Sequence, residues 1–145
     1  MKVLLQRVRE ARVEVAGEEI GRIGRGLLVF VGVERGDVSD TAWRLAERLA
    51  GYRVFADEQG KMNLDVRDVA GEVLAVSQFT LAADTRKGRR PGFSGAAEPG
   101  QGLRLYQEFV DALTAHQVPV ATGRFGADMQ VHLINDGPVT FLLEL

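Results

Sequence analysis

Apolar and polar positions alternate from the start of the chain. Val3 and Leu5, then Val13 and Val15 after a turn, are separated by polar neighbours, the two-residue period of a half-buried strand. Gly17 to Glu19 reads as a turn, and residues 20–23 as the returning strand of a hairpin. Residues 27–33 form a continuous apolar run rich in β-branched side chains, which predicts a strand buried on both faces. The period then changes. Ala42, Leu45, Ala46 and Leu49 recur at helical spacing, with Asp37 or Ser39 placed to cap the start and Gly51 to end it. Residues 52–55 predict a short strand, 61–69 fit neither period, and 73–81 predict another strand. Residues 83–98 hold Gly88, Pro91, Gly92 and Gly95 and predict a long loop. A second helix over about 101–115 buries Leu103, Tyr106, Phe109, Val110 and Leu113. Pro119 and Val120 open a strand, Met129, Val131 and Leu133 alternate with polar residues, 135–138 is a turn, and 139–145 is the last strand. The sum is an α+β fold: a curved or barrel-like, antiparallel-rich β-sheet with two main helices packed outside. No linker interrupts residues 1–145, so one domain is expected.

Composition narrows the chemistry. The chain has no cysteine, which removes disulfides, zinc–thiolate sites and cysteine nucleophiles together and suits a reducing compartment. No apolar run reaches the length of a signal-peptide core or a membrane span, so a cytoplasmic protein with no membrane association is expected. The formal net charge of −2 means that any nucleic-acid binding must come from a local patch. The excess of arginine over lysine, 15 to 3, reads as base composition or heat tolerance.

Familiar catalytic motifs are missing. There is no GxSxG elbow, no HExxH and no Walker lysine loop. His116 falls at the end of a helix, where the dipole favours a cation, and His132 on the polar face of a strand. Asp65 and Asp68 alone are too few to suggest a metal, and no metal or cofactor is expected. A hydrolase built from this chain would work by positioning and by backbone hydrogen-bond donors.

Two segments stand out. Ser77-Gln78-Phe79-Thr80-Leu81 closes an apolar strand with polar side chains; by itself it reads as a strand end leaving the core. Asn135-Asp136-Gly137-Pro138-Val139-Thr140 reads by itself as a hairpin connection. Together, SQFTL and NDGPVT resemble the two signature motifs of the D-aminoacyl-tRNA deacylase family. The opening KVLLQRV, the basic loop at 86–93 and the segment at 123–129 are similar to the family's pattern as well, in the same order along nearly the whole chain.

The resemblance implies a homodimer that hydrolyses the ester of D-aminoacyl-tRNA at its acceptor end, a proofreading activity, with the active site at the subunit interface. It implies that Gly137-Pro138 is cis and enters the partner's pocket beside Ser77 to Leu81, that Arg7 holds this dipeptide, and that Met129 lies near the pocket. Ser77 and Gln78 would orient the adenosine end and the ester, and the backbone N–H groups of Phe79 and Thr80 would receive the ester carbonyl. Water would attack, with Thr80 as the rival nucleophile lacking an evident base. A rigid wall at Gly137 and Pro138 would exclude L-side chains, and glycyl-tRNA, which has no side chain to clash, would also be cut. Arg86, Lys87, Arg89 and Arg90 would contact tRNA phosphates. A non-catalytic RNA-binding module is the alternative; it accounts for the basic loop and leaves both motifs without a reason.

Overall fold

A computed structural model describes residues 1–145. In chain order the elements are β1 (Lys2–Val15), β2 (Glu18–Ile23), β3 (Gly26–Gly32), α1 (Ser39–Ala50), β4 (Phe55–Ala56), β5 (Met62–Leu64), β6 (Glu72–Ser77), a 3₁₀ turn (Phe79–Ala82), α2 (Pro99–Ala115), β7 (Val120–Thr122) and β8 (Gln130–Glu144).

β1 organises the sheet. Along one edge its first half pairs with β3 and its second half with β2, both antiparallel. Along the other edge it pairs antiparallel with β8, from Lys2 opposite Glu144 to Glu14 opposite Gln130. Beyond β3 the sheet continues through β6 and β7 as two parallel steps. Parallel neighbours need a crossover, and α1 and α2 lie in those two connections, packed on one another over the same face. Curvature brings β2 back to β7, so that a Cβ on Gly21 would stand 2.5 Å from the Thr122 carbonyl oxygen. The result is a nearly closed, barrel-like mixed sheet with two helices outside.

Strand alternation divides the apolar residues between two cores. Leu27, Val29, Val31, Val73 and Ala75 face the helices and meet Leu45, Leu49, Leu105, Phe109 and Leu113. Leu28, Leu74 and Val76 face into the barrel with Val8, Val13 and Ile23. β3 is therefore covered on both sides, the physical reason for its unbroken apolar run. Truncating a fully buried leucine such as Leu28 or Leu74 to alanine costs about 2–5 kcal/mol.

Several local expectations are corrected. β1 is one strand of 14 residues with no turn before Val13, because partners on both edges satisfy its backbone across the polar stretch. The strand expected over 52–55 is only β4, paired with β5. Val38 occupies the N-cap of α1, and its N–H donates to Thr41 Oγ1 at 3.2 Å. Asp37 is turned away to accept from the Met1 ammonium at 2.7 Å and the Glu34 N–H at 2.6 Å. α2 starts earlier, with Pro99 in its first turn, and it exposes Leu103 while burying Leu105. The strand over 73–81 stops at Ser77, and 135–138 is no hairpin turn but lies within β8, a strand of 15 residues.

Candidate active site

Ser77 ends β6 opposite Val31 of β3, and the Gln78 N–H still donates to the Val31 carbonyl at 2.8 Å. The chain then leaves the sheet. Leu81 N–H donates to Gln78 O and Ala83 N–H to Thr80 O, both at 3.1 Å, closing a 3₁₀ turn. The N–H groups of Phe79 and Thr80 precede the first of these bonds, as the opening donors of any helical turn do. Gly32 makes the turn possible: a Cβ there would lie 2.9 Å from Leu81 Cβ and 3.2 Å from the Gln78 carbonyl oxygen. The Gln78 side-chain amide donates to Thr80 Oγ1, which fixes both side chains over the turn.

Two cavities flank this segment. One, of about 270 Å³, runs beneath α2 between Val31, Val33, Tyr106 and Phe125, with Ser77, Gln78 and Phe79 at its mouth. The other, of about 210 Å³, has the same three residues on one side and Gly126, Ala127, Met129 and Val131 on the other. Phe79 stands between them, 61% exposed, its ring 5.3 Å from that of Phe93. A solvent-facing aromatic between two recesses is a surface on which a flat ring can stack.

Neither cavity is lined by histidine, aspartate, glutamate, lysine or arginine. The one ionisable group is Tyr106, and burial pushes its phenol up to about 12. Its hydroxyl donates to the Ala75 carbonyl at 2.7 Å and so braces α2 against β6. The histidines lie elsewhere. His116 Nδ1 is 2.8 Å from the Ala112 carbonyl at the end of α2, and His132 sits with Arg12 and Glu14 across the β1–β8 ladder. No group of three histidine, aspartate or glutamate side chains is arranged to hold a metal.

Gly137 and Pro138, joined by a cis peptide bond, line neither cavity of their own chain. They project from β8, where the ladder steps from Gln6 opposite Thr140 to Val8 opposite Asn135. Residues 136–139 thus bulge out against the single residue Arg7. The Arg7 guanidinium is mostly buried and holds the bulge: Nε donates to the Asp136 carbonyl at 2.9 Å, and Nη1 to the Val54 carbonyl at 2.7 Å. Gly137 has no room for a side chain, since a Cβ would fall 2.3 Å from the Val139 nitrogen. Counting strands and residues along the sheet, Pro138 stands on the order of 20 Å from Ser77. One chain by itself does not bring the two motifs together.

The basic residues form an exposed knob. Asp84 and Gly92 exchange backbone hydrogen bonds of 2.7 and 3.0 Å, pinching off residues 85–91. Arg86 is turned back onto Asp84 through two bonds of 2.9 Å, and this guanidinium holds the Asp84 carboxyl well below the usual carboxylate range. Lys87, Arg89 and Arg90 are exposed and form no ion pair. The four expected cations are therefore not equivalent.

Sequence reasoning missed Gly32, Tyr106, Phe125, Asn135 and the Val54 carbonyl. A glycine ending an otherwise apolar strand marks close backbone approach and could have flagged Gly32. Asn135 was visible inside NDGPVT. Tyr106 and Phe125 look like ordinary core aromatics, and no local pattern reveals which carbonyl an arginine reaches.

Fold and site together define a class: a barrel-like mixed sheet whose candidate site is a main-chain turn beside two cavities free of ionised side chains. A family model described as D-Tyr-tRNA(Tyr) deacylase matches residues 4–144. A D-aminoacyl-tRNA deacylase of Alcanivorax borkumensis is 61% identical over 145 residues, covering 100% of both chains. One of Geobacter sulfurreducens is also 61% identical, covering 99% of this chain and 95% of its own. Among solved structures, the c-Myc DNA Unwinding Element Binding Protein superposes with a TM-score of 0.94 at 40% identity, over 100% of this chain and 99% of that one. A probable eukaryotic D-amino acid tRNA deacylase superposes at 0.86 with 17% identity over 99% and 98%, a likeness of fold alone. The chain belongs to the D-aminoacyl-tRNA deacylase family.

Proposed function

We propose that the chain hydrolyses the ester of D-aminoacyl-tRNA, releasing a free D-amino acid and tRNA. The observation that carries this is the 3₁₀ turn at Phe79–Ala82: its opening main-chain donors follow directly on Ser77 and Gln78, which with Phe79 line both cavities, and neither cavity holds an ionised side chain. An aminoacyl ester on a ribose is already activated, so it needs an oxyanion site and alignment more than a base. The N–H groups of Phe79 and Thr80 take the carbonyl oxygen as charge develops on it. Ser77 and Gln78 orient the ester, and the apolar cavity under α2 receives the terminal nucleoside. Water attacks, with the neighbouring ribose 2′-hydroxyl as its internal aid.

Handedness requires a second subunit. In this reading Gly137 and Pro138 of one protomer enter the partner's cavity beside Met129 and form a main-chain wall where an L-side chain would project. Such a wall tolerates many D-side chains and also lets glycyl-tRNA through. The outer edge of β8 is unpaired, and Ile134, Phe141 and Leu142 are exposed along it, an apolar margin suited to a homodimer. Lys87, Arg89 and Arg90 contact acceptor-stem phosphates. Such an enzyme acts in the cytoplasm, where aminoacyl-tRNA is made; no helix is long and apolar enough to cross a membrane.

A binding module without catalysis is the second reading, supported by the exposed basic knob and by the nucleic-acid-binding name of the 40% identical structure. One assay separates the two. Purified, chelator-treated protein is mixed with D-tyrosyl-tRNA and with L-tyrosyl-tRNA. Selective loss of the D-ester is the expected result; binding of both without loss of either would leave only the module.

A further inference from the structure

We infer that Asn135 is a positioning residue for the chirality wall: its carboxamide ties the far end of the bulge that carries Gly137 and Pro138 to the Arg7 backbone on the opposite strand. The inference rests on the cross-subunit wall proposed above. Arg7 lies opposite four bulged residues, so no backbone donor of β8 faces its carbonyl. The Asn135 side chain fills that place, its Nδ2 donating to the Arg7 carbonyl at 3.0 Å. The same nitrogen donates to the Val139 carbonyl at 3.1 Å, on the far side of Pro138. Arg7 in turn grips the Asp136 carbonyl at the near side. The loop is thus fastened at its first residue by a guanidinium and at its last by a carboxamide, while Val139 is buried in the core below.

The chemistry singles out asparagine. Two carbonyl oxygens need two N–H donors on one short side chain. Aspartate has the same shape but turns two acceptors toward two acceptors. Alanine leaves the Arg7 carbonyl unpaired in a part-buried ladder, and glutamine is one methylene too long for the gap. With this fastener gone, the loop swings about its Arg7 end and yields to an L-side chain. The oxyanion turn belongs to a different part of the sheet and is untouched.

The test compares Asn135→Asp, Asn135→Ala and Arg7→Ala with the parent protein, reading kcat/KM on D- and L-tyrosyl-tRNA. For both Asn135 variants the D-ester rate stays within a few-fold, the L-ester rate climbs, and the D-over-L ratio falls about tenfold or more. If Arg7→Ala loses the ratio while both Asn135 variants keep it, the assignment of Asn135 is overturned and the wall survives. If the parent protein itself does not discriminate D from L, the wall fails; if it does and no variant changes the ratio, the inference on Asn135 fails. If D and L rates fall together at constant ratio, Asn135 is structural only and the inference is wrong. Should the variants not fold, the parent protein still decides: the Asn135 side-chain amide protons must exchange slowly with solvent, and fast exchange would overturn the double tie.

Discussion

Removing the Thr80 hydroxyl tests whether this site works through its backbone or through a side-chain nucleophile. Thr80 is exposed in the 3₁₀ turn, next to Phe79 of the cavity lining, and its oxygen accepts from the Gln78 amide. A nucleophilic role needs a base within hydrogen-bond reach. The cavities offer none, and both histidines are engaged elsewhere. On the backbone reading, Thr80→Ala deletes one neutral hydrogen bond that orients Gln78. Such a bond is worth about 0.5–1.5 kcal/mol, so single-turnover hydrolysis of D-tyrosyl-tRNA slows roughly two- to tenfold. A nucleophile would leave a different trace: a loss on the order of 10⁴-fold or more, and an acyl-enzyme on Thr80 that mass spectrometry of quenched reactions would detect in the parent protein. Either result, obtained with a folded variant, refutes the backbone reading. Thr80→Ser adds a check, because it keeps the hydroxyl and should retain most of the parent rate.

Gly32→Ala drives a Cβ to 2.9 Å from Leu81 Cβ and displaces the 3₁₀ turn; a stability loss of about 1–3 kcal/mol in denaturant melts, with a larger fractional drop in kcat than in the apparent binding of tRNA, is expected. Tyr106 contributes a pH dependence: its folded pKa of about 12 lies above the ordinary 10.0, so its stabilisation is complete below pH 10 and is lost as pH rises from 10 through 12. The loss is about 2–3 kcal/mol, and Tyr106→Phe should flatten this part of the stability curve. In the basic knob, reversing Arg89 and Arg90 to glutamate should raise KM for tRNA far more than Arg86→Ala, since Arg86 is already neutralised by Asp84. Log KM should climb with log salt at a slope of roughly 2–3, as three free cations require, and a flat salt response would remove the knob from the tRNA contact.

Patterns of period two and period 3.6 were enough to find the strands other than β5, both helices and the barrel-like α+β architecture, because those patterns record which face is buried. They failed where long-range pairing decides the outcome. The polar stretch at Arg9, Glu10 and Arg12 reads as a break, yet β8 and β2 carry the strand across it. NDGPVT has turn composition and becomes a bulge inside a strand, since β1 runs along its whole length as a template. Leu103 and Leu105 each fit a helical stripe, and packing of α2 on the sheet and α1 through Leu105, Phe109 and Leu113 decides which one points inward. At the site, SQFTL and NDGPVT were legible as motifs. The contacts that hold them were not: Arg7 to the Val54 carbonyl, and Asn135 to two carbonyls, depend on residues brought together by the folded sheet.

The pairing of β1 with β8 also bears on how the protein is made. β1 leaves the ribosome more than a hundred residues ahead of its partner over residues 130–144. At synthesis rates of about 5–20 residues per second that interval is roughly ten seconds, during which β2 and β3 can zip onto one edge of β1 while the other stays open. An open edge with Val3, Leu5 and Val8 beside it is a template for the wrong strand of a neighbouring nascent chain. Arg7 can meet Asp136 only once β8 has been made. In the reading proposed above, the wall that this contact supports is therefore assembled after the SQFTL segment, and a chain truncated before β8 would carry SQFTL with no Gly137-Pro138 dipeptide to lend a partner.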